Sequence, residues 1–192
     1  PEQAPFSKVA RTEEYGAEVI LKGRNLNETA KFVKNLAIKK ELKLIHPYND
    51  LDVISGQGTI GLEIYNEIND LDCLIIPIGG GGLISGISTA VKKLNPKIKV
   101  FGVESKLFPS MHNIFNKENL PCGGDSIADG IAVKQPGNIN IPIILKNIDD
   151  IFLVDEISIE NSISDLFEDE RVISEGAGAA GVAAILENKK FF

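Results

Sequence analysis

Gly79, Gly80, Gly81 and Gly82 stand in a row between an apolar run, Leu74-Ile75-Ile76-Pro77-Ile78, and an apolar stretch that opens at Leu83. Four residues without Cβ atoms between a buried strand and a helix leave a ring of backbone N–H groups that a phosphate can approach without meeting a side chain. This pattern predicts an anion cradle. A Walker A loop is excluded, because no Gly-Lys-Ser/Thr triplet follows the glycines. The dinucleotide pattern G-x-G-x-x-G also fails, since the positions that need glycine hold Ile84 and Ser85. Ser85 is small enough to be a tolerated variant, and Glu104 closes the next strand where an acid would grip a ribose. Nucleotide binding therefore stays open as an alternative. A plain flexible turn would need only one or two glycines.

The elements that must position this loop alternate strand and helix. Strands are expected at Ala17 to Leu21, Leu42 to Ile45, Leu74 to Ile78, Ile98 to Val103 and Ile151 to Val154. Helices are expected at Asn25 to Lys40, with Phe32, Val33, Leu36 and Ala37 on one face, and at Asp52 to Ile68, where Gly56, Gly58 and Gly61 leave room for a close neighbour. Further helices are expected at Leu83 to Leu94, Pro109 to Phe115, Ile139 to Lys146 and Ser158 to Glu168. A last, small-residue helix runs from Glu175 to Leu186. The order implies an α/β fold with a doubly wound, mostly parallel sheet.

The 192 residues, 43% of them hydrophobic, suit one domain or one and a half. A net charge of -7 and a pI near 4.9 argue against a nucleic-acid-binding surface. No apolar run is long enough to span a bilayer, and the first residues lack the segments of a signal peptide, so no membrane association and a cytoplasmic location are expected. Cys73 and Cys122 fit neither a disulfide framework nor a zinc site.

Four ordered stretches carry a resemblance. Pro77 to Ile87 is similar to the phosphate-binding loop of fold-type II pyridoxal-phosphate enzymes of the threonine dehydratase and serine racemase family. His46-Pro47-Tyr48-Asn49-Asp50 through Ile60 resembles the segment before that loop. Ile127-Ala128-Asp129-Gly130-Ile131-Ala132-Val133 resembles the loop over the cofactor ring, and Glu175-Gly176-Ala177-Gly178-Ala179 resembles the small-residue motif that follows. The resemblance implies a tryptophan-synthase-β-like fold, incomplete in this chain, with residues 1–47 as a remnant of the small domain. Residues 48–192 would form a large phosphate-binding domain, truncated at its C-terminal end.

The same resemblance implies pyridoxal 5'-phosphate as cofactor and an amino acid as substrate, deaminated to a 2-oxo acid and ammonia. Gly79, Gly80, Gly81, Gly82 and Leu83 would donate N–H groups to the phosphate, Gly130 would let its loop lie against the ring, and Glu175 would sit near the ring. Glu175 reads equally well as an acid in the first turn of its helix, with Ser174 as cap. The family's Schiff-base lysine lies in a Ser-Phe-Lys-x-Arg-type motif that does not occur here. Phe6-Ser7-Lys8 has the order wrong and aligns with a helix start. No catalytic residue is therefore assigned, and the chain by itself is expected to be inactive.

Serine racemase is the alternative within the family. Its pattern carries a cation site made from an acid, a carbonyl and an aspartate, where this chain has Glu104, Phe108 and Ser110; Glu104 and Ser110 form at best a degenerate version, and no metal is expected. Tyr48 stands where the racemase pattern carries an asparagine. Both departures favour threonine dehydratase, and a homo-oligomer, dimer or tetramer, is expected. His46 is left outside the site, because a lone histidine is more often packed or hydrogen-bonded than catalytic.

Overall fold

The structure, a computed structural model, describes residues 1–24 and 26–192. They divide into two compact units, residues 1–45 and residues 46–192.

The first unit holds α1 (Phe6–Glu14) and α2 (Leu26–Lys39). Phe32, Val33, Leu36 and Ala37 of α2 are half-buried while most of their neighbours are exposed, which is the amphipathic stripe that their spacing predicts. The expected helix start at Asn25 lies outside the described residues. The strands expected at 17–21 and 42–45 do not form. A strand exists only where its backbone groups pair with a neighbour, and these segments have no ladder partner among the described residues.

The second unit is built on α3 (Leu51–Glu67), β1 (Cys73–Pro77), α4 (Gly82–Leu94), β2 (Lys99–Ser105), α5 (Ser110–Asn116), α6 (Asn140–Asn147), β3 (Asp150–Val154), α7 (Glu156–Glu168) and α8 (Gly176–Glu187). A single 3-10 turn spans Asp129–Ile131. The strands form one parallel sheet in the order β1-β2-β3, with Leu74 opposite Val100 and Val103 opposite Phe152. Both sheet faces are covered. Ile76, Val100 and Ile151 pack with Ile84, Ile87 and Val91 of α4 and Ile144 of α6, whereas Val103 and Val154 pack with Ile159 of α7 and Ala180, Ala183 and Ala184 of α8. This two-sided burial explains why the strands read as continuous apolar runs rather than alternating ones.

Local chemistry sets the helix ends. The Asp50 carboxylate accepts from the N–H groups of Asp52 (2.8 Å) and Val53 (3.2 Å) and starts α3. Asp155 accepts from the Ser158 N–H (2.9 Å), so α7 begins at Glu156, two residues before the expected start. Helices α3 and α4 cross closely because of glycines: a Cβ on Gly58 would lie 3.2 Å from the Gly86 carbonyl oxygen, and one on Gly61 would lie 3.0 Å from that of Ile87. Gly56, also expected to admit a neighbour, faces open space instead.

Candidate functional site

The glycine run leaves the C-terminal end of β1 and enters α4, the position at which parallel sheets bind ligands. Ile78 and Ile84 on either side of it are fully buried. Each such side chain contributes roughly 2 kcal/mol through burial, so the loop is strung between fixed points. Gly81 adopts φ of +90°, a left-handed conformation that side chains disfavour, and serves as the N-cap of α4. Among the described residues, no protein acceptor takes the N–H of Gly79, Gly80, Gly81, Gly82 or Leu83. Those amides, with the positive end of the α4 dipole behind them, can receive an anion.

They face an open cleft of about 670 Å³. Gly79, Gly80, Gly81, Gly82, Leu83, Gly130 and Glu175 all line it, so every residue singled out from the sequence for cofactor binding lies on one cleft. Pro47, Tyr48, Gln57 and Val133 complete much of the wall, and no lysine is among the lining residues. The loops meet tightly. A Cβ on Gly79 would lie 3.0 Å from the Gly130 carbonyl oxygen, and one on Gly130 would lie 3.1 Å from the Ala177 Cβ and 3.5 Å from Glu175 Oε1. Packing against the start of α8 is enough to constrain Gly130. Glu175 itself occupies the N-cap position of α8 but makes no side-chain capping bond, and the Ser174 hydroxyl donates to the Glu175 carbonyl (3.0 Å) instead of capping.

In the sequence Tyr48 stands out only as a departure from the racemase pattern. Its ring lies against Gly80, where any Cβ would overlap it. His46 shapes the same turn: its Nδ1 accepts from the N–H groups of Asn49 (3.0 Å) and Tyr48 (3.4 Å), and its ring meets Tyr48 edge-on at 4.6 Å.

Glu104 does not line the cleft. It is fully buried, and its carboxylate accepts from the N–H groups of Met111 (2.9 Å) and His112 (2.8 Å) and from the Ser110 hydroxyl (3.2 Å), at the start of α5. The acid expected to grip a ribose is therefore committed to a helix end, and Ser110 acts on it as a donor. Burial pushes the Glu104 carboxyl up to about 7, against the pull of those hydrogen bonds. The folded state then holds a proton that the unfolded chain has released between 4.5 and about 7, so stability falls as pH rises through that window and levels off above it. Glu104→Gln, neutral throughout, should remove this pH-dependent change, on the order of 3 kcal/mol across the window. Urea midpoints at about pH 5 and about pH 8 measure it, and equal slopes for the two proteins would refute it. Asp149 acts in another window. Burial alone would raise it, but Lys99, the Val100 N–H and Lys92 outweigh that and hold it down to about 2.

A family model described as pyridoxal-phosphate dependent enzyme matches residues 1–192. The chain is 43% identical over 188 residues to the L-threonine ammonia-lyase of Thermotoga maritima, covering 97% of this chain and 47% of that protein. It is 44% identical over 191 residues to the catabolic L-threonine dehydratase TdcB of Staphylococcus aureus, covering 98% of this chain and 55% of that one. The chain thus spans about half the length of the curated relatives it matches. Among solved structures, maize serine racemase superposes with a TM-score of 0.91 at 32% identity, over 98% of this chain and 57% of the racemase.

Proposed function

The chain belongs to the pyridoxal-phosphate-dependent enzyme family, with pyridoxal 5'-phosphate as cofactor, and from that premise we propose that it is the phosphate-holding part of a threonine ammonia-lyase. The whole protein would deaminate L-threonine, and L-serine, to a 2-oxo acid and ammonia in the cytoplasm, as a homo-oligomer. The observation that carries this reading is the run of acceptor-free amides from Gly79 to Leu83 opening on the cleft that Gly130 and Glu175 also line.

These residues fit the cofactor. The glycine loop suits a phosphoryl group, because the N–H groups of residues 79–83 have no acceptor among the described residues and four of those five residues carry no side chain. Bound there, pyridoxal phosphate supplies an electron sink for the charge left when an amino-acid α-proton is removed. The N–H groups of residues 79–83 would anchor the phosphate, the Gly130 loop would lie along the ring, and Glu175 would stand at its edge. Tyr48 would wall the substrate side. The lysine that takes the α-proton would lie outside these 192 residues, with residues 1–47 as part of a smaller domain. The ammonia-lyase reading is favoured over racemase by Glu104, whose carboxylate is committed to α5, and by the two relatives named for L-threonine.

Two measurements test it. The isolated chain should bind pyridoxal phosphate saturably in equilibrium dialysis, in competition with inorganic phosphate, and release no 2-oxobutanoate from L-threonine. The full-length protein should release 2-oxobutanoate and ammonia in equal amounts. Failure of the chain to bind at saturating cofactor, or interconversion of enantiomers without ammonia by the full-length protein, would overturn the reading.

A further inference from the structure

We infer that Asn140, which lies behind the cleft and outside its lining, is the positioning residue that holds the glycine loop in its anion-accepting shape. The inference rests on the proposed cofactor site. Asn140 is fully buried at the first turn of α6, and its side-chain amide nitrogen donates both to the Gly80 carbonyl oxygen (2.8 Å) and to that of Tyr48 (2.8 Å). Both neighbours are acceptors, so the amide orientation is fixed: the NH2 group must face them. One side chain thereby ties together the Tyr48 turn, the glycine loop and the start of α6.

The consequence for the loop follows from peptide geometry. The Gly80 carbonyl is gripped by two donors, Asn140 and the Gly137 N–H (2.9 Å). In a trans peptide the carbonyl and the next N–H point in opposite directions, so fixing the Gly80 oxygen toward Asn140 turns the Gly81 N–H away from it. That amide has no protein acceptor, and Gly81 lines the cleft. The backbone around it is shaped to match: a Cβ on Gly81 would lie 3.0 Å from the Asn140 Cβ, and one on Gly137 would lie 2.6 Å from its amide nitrogen. The Asn140 side-chain oxygen has no hydrogen-bond partner. A buried polar atom left unpaired costs stability, so an apolar residue would serve better if filling space were the only task at this position.

Asn140→Asp keeps the shape and replaces the two donors by acceptors, and Asn140→Ser keeps a single hydroxyl donor. Amide hydrogen exchange without ligand reads the loop directly. The Gly137 N–H, bonded to the Gly80 oxygen, should exchange at least about tenfold faster in Asn140→Ser, while the β2 amides of Val100 and Val103 keep their rates. Affinity for pyridoxal phosphate and for inorganic phosphate should fall by about tenfold in Asn140→Ser and further in Asn140→Asp. Should the aspartate variant fail to fold, the serine variant decides by itself. Unchanged Gly137 exchange together with unchanged affinity would overturn the inference, and uniform acceleration across β2 would overturn it in favour of a general loss of stability. Absence of cofactor binding by the unaltered chain would instead overturn the functional reading, and the Gly137 exchange rate would still decide the role of Asn140 in shaping the loop.

Discussion

Gly86→Ala should lower the stability of this chain by about 3 kcal/mol or more, a drop of roughly 10 °C in melting temperature. The site is the crossing of α3 and α4. A Cβ on Gly86 would overlap the Ile54 carbonyl oxygen and lie 2.6 Å from the Gly58 nitrogen and 3.0 Å from the Gln57 carbonyl carbon. All three atoms belong to the backbone of α3, so no side chain can rotate out of the way. The helices must separate, and with them Ile84, Ile87 and Val91, which fill the core on that sheet face. Gly56→Ala provides the contrast within the same pair. Its Cβ would meet nothing within 4 Å, and alanine is the better helix former by about 0.5–1 kcal/mol, so that variant should be slightly more stable than the parent. Thermal melts followed by circular dichroism give both values. A Gly86→Ala protein melting within about 2 °C of the parent would show that α3 and α4 can separate there without loss of core packing.

Much of this architecture is legible because the signals are local. The apolar run before Gly79, the glycines and the apolar residues after them lie within fourteen neighbouring positions, and β1 and α4 form there as the pattern implies. The small residues of α8 also mark their role: Ala180, Ala183 and Ala184 are buried against the sheet. What fails is what depends on a distant partner. The segments at 17–21 and 42–45 have strand composition, but composition supplies no ladder. Glu104 and Ser110, paired in the sequence only through the resemblance to the racemase cation site, do meet, yet the hydroxyl donates to the carboxylate, and the Met111 and His112 amides complete its shell. Asn140 carries no visible signal in the sequence, which places the start of its helix at Ile139, since its two acceptors are 60 and 92 residues away in the chain.

Gly80→Ala should abolish useful cofactor binding while leaving most of the fold intact. The Cβ would overlap the Tyr48 ring at Cγ, Cδ1 and Cδ2, so the ring must leave its place or the loop must shift. Neither move is free. The Tyr48 carbonyl is held by Asn140, its N–H faces His46, and its hydroxyl lies 3.4 Å from the Gln135 carbonyl oxygen. Shifting the loop would break the grip of Asn140 and Gly137 on the Gly80 oxygen and misdirect the amides that follow. Affinity for pyridoxal phosphate should fall roughly a hundredfold, or about 3 kcal/mol. The stability loss should be smaller, about 1–2 kcal/mol, because Tyr48 is only half-buried and can yield toward solvent. Removing the obstacle should separate the two effects: in Gly80→Ala with Tyr48→Ala, the new methyl group has room, the loop can return, and part of the lost affinity should come back. Equilibrium dialysis of the single and double variants measures this coupling directly. If Gly80→Ala bound the cofactor within about threefold of the parent, the glycine run would not be the phosphate cradle, and the tight packing of Tyr48 on Gly80 would be a matter of folding alone.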